Sequence, residues 1–399
     1  MSSQENKICC YIMCKNEQRS ILKTLNSVSD YVDSIVINDT GSTDNTIQLC
    51  LEFSVENKVP FFLIQNDFVD FATTRNTGLE YIKNNIDCDL ILLLDANDEL
   101  IVTDKEKFRS QEKSTLCKVK LTTDTEESTF LSPRLIRKDE NHYYIFPIHE
   151  QLISDSHLKY SSIPADSFYI KQKRDYEDQF EKTKQRWKSD EKILLKCIQD
   201  FPTDIRYLAH CYYFLAQTYE CMGEAYYRDA INNYKLRLDM DEKQEQEIHF
   251  VCTKKIGQLT YELYTLMLDK DRKEELLRDA IGWLFQSYFK FKRIDGLFIL
   301  VQHFHQTQSI ILAFSLCQLC LSVKSPQNCL LEVETEVYEY LRYLEYAKLA
   351  ETLNLKEDAI QSLDKATERF KERNYEDLNK SERERVDECS VVMQNIINK

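Results

Sequence analysis

Glycine and proline are scarce in this 399-residue chain, with six of each, where the two together usually make up roughly 12% of a globular sequence. That scarcity excludes collagen-like and Gly-rich chains and most turn-dense all-β designs, and it predicts a protein that is mostly helix. Each glycine that remains is a candidate for a backbone that tolerates no side chain. Gly41 and Gly223 fall at predicted turns, whereas Gly78, Gly257, Gly282 and Gly296 fall in helical segments where the sequence assigns them no role. Positive charge is also short: 52 Lys+Arg against 67 Asp+Glu leave a net charge of −15. A surface that releases few counterions is a poor match for nucleic acid, so none is expected as a partner. The deficit is spread over the chain, with 17 Lys+Arg against 26 Asp+Glu in residues 1–165 and 35 against 41 in residues 166–399. Neither half offers a basic module.

Long apolar runs are lacking as well. The longest, Ile310 to Val323, is too short for a bilayer and is interrupted by Gln318, so no transmembrane segment is expected. Fourteen cysteines are present, but adjacent Cys9 and Cys10 and the absence of a recognisable secretory signal argue against a disulfide scaffold. They read as reduced, mostly buried thiols in a cytosol-like compartment. The one CxxC, Cys317 to Cys320, lies inside that apolar run. Helical i, i+3 spacing puts both thiols on one core face, and no second ligand pair for zinc is near.

The first hundred residues alternate two kinds of pattern. Lys7 to Cys14, Ser34 to Asn38, Phe61 to Gln65 and Leu90 to Leu94 are β-rich runs, and Glu17 to Val28, Thr43 to Phe53 and Ala72 to Asn85 carry apolar residues at helical spacing. This β-α-β-α-β-α-β order predicts a parallel sheet whose ligand crevice lies beyond the carboxyl ends of its strands. Lys118 to Thr122, Phe130 to Ile136 and Tyr143 to Leu152 are expected as further strands of the same sheet. From Tyr176 onward strand signals vanish. Tyr212-x2-Leu215-Ala216-x2-Tyr219-x3-Gly223 followed by Ala230-x3-Tyr234 resembles the tetratricopeptide consensus, and a weaker copy runs from Leu349-Ala350 to Ala359-Ile360. The expected organisation is a catalytic domain over residues 1–170 and a helical domain over 171–399.

Four polar clusters fall near predicted strand ends: Lys15-Asn16-Glu17, Asp39-Thr40-Gly41-Ser42-Thr43-Asp44, Arg75-Asn76 and Asp95-Ala96-Asn97-Asp98. Taken singly, each has a structural reading, since Glu17 and Thr43 can cap helices and Gly41 can be only a tight turn. Converging on one sheet edge, they suit a nucleotide diphosphate carrier. Asp39 can accept from the ring N–H of a base, and the Gly41 turn lets backbone approach closely. Arg75 can neutralise or stack, and Asp95 with its neighbours can hold a divalent cation that offsets the charge of a leaving diphosphate.

Together with His149-Glu150, these clusters resemble the family-2 glycosyltransferases of GT-A fold, and more narrowly the group that joins this domain to tetratricopeptide-like helices, including members from large DNA viruses. Arg186-Trp187-x2-Asp190 and Tyr213 to Tyr219 resemble that group's linker and first helical repeat. The resemblance implies a fold of α/β plus all-α class: a mixed, mainly parallel nucleotide-sugar-binding sheet with flanking helices, then a tetratricopeptide-like domain. It implies transfer of a sugar from a nucleotide sugar, with a UDP-sugar favoured over GDP, to a hydroxyl of a glycan or protein acceptor with inversion. Lys15, Asn16, Glu17, Asp39, Gly41, Arg75, Asp95 and Ala96 would hold the nucleotide. Asp95, Asn97 and His149 would hold Mn2+ or Mg2+, and Glu150 is the first candidate for general base. Asp104, Asp139 and Glu140 stand as alternatives for that role. The expected location is the cytoplasm, that of the host if the protein is viral, and the expected assembly is a homodimer through the helical domain. One departure stands out: Asn97 replaces the second acid of the family's D-x-D motif, which lowers the charge offered to a metal, with Asp98 as the nearest substitute. That departure keeps open a catalytically weakened scaffold whose helices bind a protein partner. A nucleotidyltransferase lacks support, because no Gly-rich basic loop follows the first strand.

Overall fold

Four apolar runs of the first hundred residues become the parallel centre of a sheet. The computed structural model describes residues 5–122, 127–155, 161–162, 167–173, 180–240, 246–326, 331, 333–368 and 380–398. The chain divides into two compact units, residues 1–186 and 187–399. In the first, β1 (Ile8–Cys14), β2 (Ser34–Asp39), β3 (Phe61–Gln65) and β4 (Leu90–Asp95) alternate with α1 (Ile21–Val28), α2 (Thr46–Glu56) and α3 (Phe71–Asn85). Then follow β5 (Asp98–Val102), α4 (Lys105–Arg109), β6 (Thr115–Thr122), β7 (Glu127–Arg137), β8 (His142–Ile145), β9 (Gln151–Ser154), β10 (Ser161–Ser162) and β11 (Phe168–Lys173). The strand order is β3-β2-β1-β4-β7-β6-β11-β5, with β10 on β6.

Burial explains why the central strands read as unbroken apolar runs: β2 is buried throughout and β1 nearly so, as expected for a sheet covered on both faces. Period-2 alternation along β1 sends Ile8, Cys10 and Ile12 to the face shared with Ile21, Leu25 and Val28 of α1, and Cys9 and Tyr11 to the face shared with Leu79 and Ile82 of α3. Helix α3 starts where Asp70 accepts a hydrogen bond from the Thr73 amide. It can lie close against β1 because residue 78 is glycine; a Cβ there would stand 2.2 Å from the Tyr11 hydroxyl. Gly78, without a role in the sequence, is therefore a packing glycine. The Tyr11 hydroxyl in turn donates to the Arg75 carbonyl at 3.2 Å.

Two features differ from the sequence reading. Tyr143 to Leu152 is not one strand of the main sheet. It folds as β8 and β9, a separate two-stranded sheet, because Phe146 and His149 take φ of 70° and 52° and break the extended run. Asn76 of α3 binds the backbone of Tyr144, accepting from its N–H at 2.7 Å and donating to its carbonyl at 2.8 Å, so this hairpin is fastened to α3. The second difference is that β5 and β11 join the sheet as an antiparallel pair, which the sequence pattern did not reveal.

The second unit is helical. Helix α5 (Phe180–Asp200) contains the boundary, followed by α6 (Ile205–Met222), α7 (Tyr227–Asp239), α8 (Gln246–Leu266), α9 (Lys270–Phe291), α10 (Asp295–Gln306), α11 (Ile310–Ser322), α12 (Arg342–Thr352), α13 (Lys356–Glu368) and α14 (Lys380–Asn398). Successive helices pack in pairs, among them α6 with α7 and α12 with α13. These are the two segments where the sequence carries its strong and weak repeat signatures. A sheet domain followed by a helical domain is thus the architecture the sequence predicted. None of the thirteen described cysteines forms a disulfide, and among them only Cys221 is exposed. Cys317 and Cys320 are both buried on α11. Among the described residues no helix is long and apolar enough to cross a membrane.

Candidate active site

Register aligns the strand ends that build the site. Cys14 pairs with Asp39 and Met13 with Asp95 across β1, and Asp39 pairs with Gln65. Beyond that row lies a crevice of about 460 Å³, within the range of small-molecule sites. Met13 and Cys14 line it from the end of β1 and Lys15 and Glu17 after it, Thr40 after β2, Phe68 before α3, Phe71 and Arg75 from the start of α3, Asp95 from the end of β4, and Ala96 and Asn97 after it.

Two of the predicted clusters spend their polar groups on each other. Asn16, at φ 58°, donates its amide to Ser42 Oγ at 2.9 Å and accepts the Thr43 amide on Oδ1 at 2.7 Å. The Glu17 amide donates to Thr46 Oγ1 at 2.7 Å, and the Gln18 amide to Asp44 Oδ2 at 3.2 Å. These bonds staple the β1–α1 loop to the β2–α2 loop. Asp39 is 1% exposed, and its Oδ2 accepts from the amides of Gly41 and Ser42, each at 3.1 Å. Gly41 takes φ 92°, and a Cβ there would meet nothing within 4 Å. The turn needs glycine for its backbone angle. Lys15 is exposed at the crevice, whereas Asn16, Asp39 at the end of β2 and Gly41 are not among its lining residues.

The floor is a charged cluster. Arg75 bridges two carboxylates, with Nη2 2.7 Å from Asp95 Oδ1 and Nε 2.6 Å from Glu150 Oε1, and its guanidinium lies 5.5 Å from the Tyr144 ring centre. Arg134 on β7 reaches Asp95 Oδ2 at 3.3 Å and Asp98 Oδ2 at 3.2 Å. Burial alone would raise the Asp95 carboxyl, but Arg134 and Arg75 outweigh it and hold the group well below the usual carboxylate range. Asp98 goes the other way: burial, helped by the Asp95 charge and opposed by Arg134, pushes it up to about 6. Its Oδ2 also accepts the Asp95 amide at 2.9 Å, and Oδ1 accepts from Gln172 at 2.9 Å. Asp98 therefore clasps the turn from inside and cannot stand in for Asn97. The carbonyl of Ala96 accepts from Thr24 Oγ1 at 2.9 Å, which fixes the same turn.

The cation expected on Asp95, Asn97 and His149 does not fit this arrangement. Both oxygens of Asp95 already accept from arginines, and Asn97 offers only a neutral amide. Among the described residues no three His, Cys, Asp or Glu side chains come together as a metal cluster. His149 is exposed in the β8–β9 turn and does not line the crevice; desolvation by its surroundings and the Arg186 guanidinium push its imidazole down from the ordinary value. Glu150 pairs with Arg75, which lines the crevice, and is not itself among the lining residues. Among the acids weighed as alternative bases, Asp104 caps α4 by accepting from the Lys107 amide at 3.0 Å, and Asp139 pairs with Arg137 at 2.9 Å. Glu140 accepts from Ser114 Oγ.

Sequence reasoning missed Arg134, Tyr144, Phe68 and Phe71. Arg134 had a detectable signal, a cation beside the apolar Leu135 and Ile136 in a predicted strand, where an unpaired charge would be costly. The two phenylalanines carried none, because their exposure is a tertiary fact.

Residues 9–108 match the family model described as Glycosyl transferase family 2. A TPR repeat-containing protein of Synechococcus elongatus is 33% identical over 103 residues, which make up 26% of this chain and 23% of the relative. The match thus spans under a quarter of that curated relative. Among solved structures, Staphylococcus aureus TarS 1-349 in complex with UDP-GlcNAc aligns at 15% identity over 71% of this chain and 91% of that one, with a TM-score of 0.33. A thermophilic TPR protein of Thermus thermophilus aligns at 14% identity over 54% of this chain and 93% of that one, also with a TM-score of 0.33.

Proposed function

We propose that this protein is a glycosyltransferase that moves a sugar from a nucleoside diphosphate donor, a UDP-sugar, to a hydroxyl of a glycan or protein acceptor with inversion at the anomeric carbon. The observation that carries this reading is the crevice at the carboxyl ends of β1, β2 and β4, because these strands lie within the segment that matches the glycosyltransferase family. Lys15 and Arg75 offer cationic donors to the diphosphate oxygens. Glu150 is the base. It takes the proton of the acceptor hydroxyl as that oxygen bonds to the anomeric carbon, while the bond from that carbon to the diphosphate oxygen breaks and its electron pair leaves with the nucleotide. For this to happen Arg75 shifts its hydrogen bond from Glu150 to the incoming diphosphate, so donor binding would free the base. No covalent nucleophile is needed, and no step is assigned to a metal.

Calorimetric titration with UDP and with GDP, each with manganese and with chelator, tests the reading. Binding of UDP followed by release of free sugar or transfer from a UDP-sugar is expected. Failure of every nucleoside diphosphate to bind would remove the enzyme reading. It would favour the scaffold alternative, which one observation supports: each acid of the cluster is already engaged in an ion pair with an arginine.

A further inference from the structure

We propose that Asn76 is the positioning residue that keeps Glu150 in place once Arg75 has let go of it to bind the donor diphosphate, an inference that rests on the glycosyltransferase reading above. The β8–β9 hairpin meets α3 both through its turn and through β8. At the turn, Arg75 Nε holds Glu150 Oε1 at 2.6 Å and the Phe71 amide donates to the Pro147 carbonyl at 3.1 Å. At the start of β8, Lys83 Nζ donates to the His142 carbonyl at 3.0 Å. Between these stands Asn76, which accepts from the Tyr144 amide at 2.7 Å and donates to the Tyr144 carbonyl at 2.8 Å. The turn has need of such ties. It carries Phe146 and His149 at φ of 70° and 52°, and residues other than glycine hold such angles only where their surroundings impose them.

The Asn76 tie takes the place of a neighbouring strand. Tyr144 lies opposite Leu152 in the hairpin, and its backbone N–H and C=O go to α3 rather than to β9. A carboxamide carries a donor and an acceptor on one end, so Asn76 closes this edge of β8 as a paired strand residue would. Glu150 is two residues from Leu152, so the segment that Asn76 fixes is the one that carries the carboxylate. Arg75 and Asn76 are adjacent on α3, yet their bonds respond differently to a donor. Arg75 lines the crevice and bears a charge for which a diphosphate competes with Glu150. Asn76 is neutral and not among the lining residues. Its two bonds therefore persist when the diphosphate arrives, and the base stays where the acceptor hydroxyl needs it.

The test compares wild type with Asn76→Ala and with Asn76→Gln, which keeps both amide functions on a longer side chain. Hydrogen exchange of peptides covering residues 142–155 is followed by mass spectrometry with and without saturating UDP, and UDP affinity by calorimetry. UDP should leave exchange of the hairpin unchanged in wild type and speed it about 10- to 100-fold in Asn76→Ala, the weight of two hydrogen bonds, with UDP affinity intact. Asn76→Gln should show the same pattern at smaller size, and it carries the test if Asn76→Ala does not fold. On whichever of UDP-glucose, UDP-galactose and UDP-N-acetylglucosamine wild type consumes fastest, Asn76→Ala should lower kcat about 10- to 100-fold at unchanged KM. In a Glu150→Gln background it should lower kcat no further. If wild type binds UDP but the hairpin of Asn76→Ala exchanges no faster with UDP than without, or the kcat losses of the two substitutions add in full, the positioning proposal is wrong and the transferase reading stands. If UDP affinity falls together with protection, Asn76 supports the fold and the proposal is likewise overturned. If wild type binds no nucleoside diphosphate, both fall together.

Discussion

Two clusters of arginine and carboxylate, one in each unit, differ in how they end. In the helical unit Arg293 grips Asp295 through two bonds, at 2.8 and 3.3 Å, and Tyr338 donates its hydroxyl to Asp295 at 2.6 Å. The Asp295 side chain is fully shut off from solvent, and the guanidinium lies 3.9 Å from the Phe250 ring centre. In the sheet unit Arg75 and Arg134 face three carboxylates, and the Asp95 side chain remains 32% exposed at the crevice floor. The first cluster is closed, and its charges serve packing. The second holds more negative than positive groups and opens toward a lined crevice. The same chemistry becomes structural when sealed and available for ligands when its valences end at a cavity.

The largest contrast between the clusters is expected from Glu150→Gln. In a working transferase it should lower kcat by about 10²- to 10⁴-fold and leave the urea midpoint nearly unchanged; undiminished turnover would move the base elsewhere. Asp295→Ala should do the reverse. Removing one partner of a buried pair costs about 3–5 kcal/mol, read as a fall in the helical unit's urea midpoint, with UDP affinity of the folded protein intact. A cost below about 1 kcal/mol would mean that water already reaches the cluster.

Asp95→Ala should lower turnover by about 100-fold, since Arg75 and Arg134 lose the carboxylate that orients them, an effect of about 2.7 kcal/mol. Turnover at the wild-type rate would show that Asp95 has no part in the reaction.

Acid separates the two clusters. The folded carboxyl of Asp98 titrates near 6 against about 3.9 unfolded, so between these values the folded state holds the extra proton. Stability of the sheet unit should therefore rise, by about 1 kcal/mol, as pH falls from 7 to 5, and Asp98→Asn should erase the gain. Asp295 is held below the ordinary carboxylate value: burial would raise it, but Arg293 and Tyr338 prevail. Its contribution is complete above about pH 4 and is lost only in stronger acid, so the helical unit should show no matching change between pH 7 and 5. Chelation should have the smallest effect, changing the UDP dissociation constant less than about threefold, within about 0.7 kcal/mol. A tenfold loss with EDTA would show that a cation displaces the arginines from Asp95.

Much of this was legible in the chain alone. The four central strands and three helices follow from apolar period, and the structure moves their ends by only a few residues. The order of Lys15, Arg75 and Asp95 at strand and helix ends was enough to bring them to one crevice. Less legible were elements whose partners are remote in sequence. Tyr143 to Leu152 has the composition of a strand, yet positive φ at Phe146 and His149 and the side chain of Asn76, about 70 residues away, make it a hairpin on α3. Asp39 and Asp98 look like free ligands in a motif, and in the structure each also clasps its own turn.

The two-part architecture was already written in the order of amino acids, because periodicity is a local property that burial only has to ratify. So were the residue types that stand at the strand ends, since strand length and connection order place them there. Which of those groups face a ligand and which face each other was settled by folding in three dimensions. Pairing depends on distances of a few ångström between segments far apart in the chain, where a carboxylate that meets an arginine first is spent, as Asp95 is on Arg75 and Arg134.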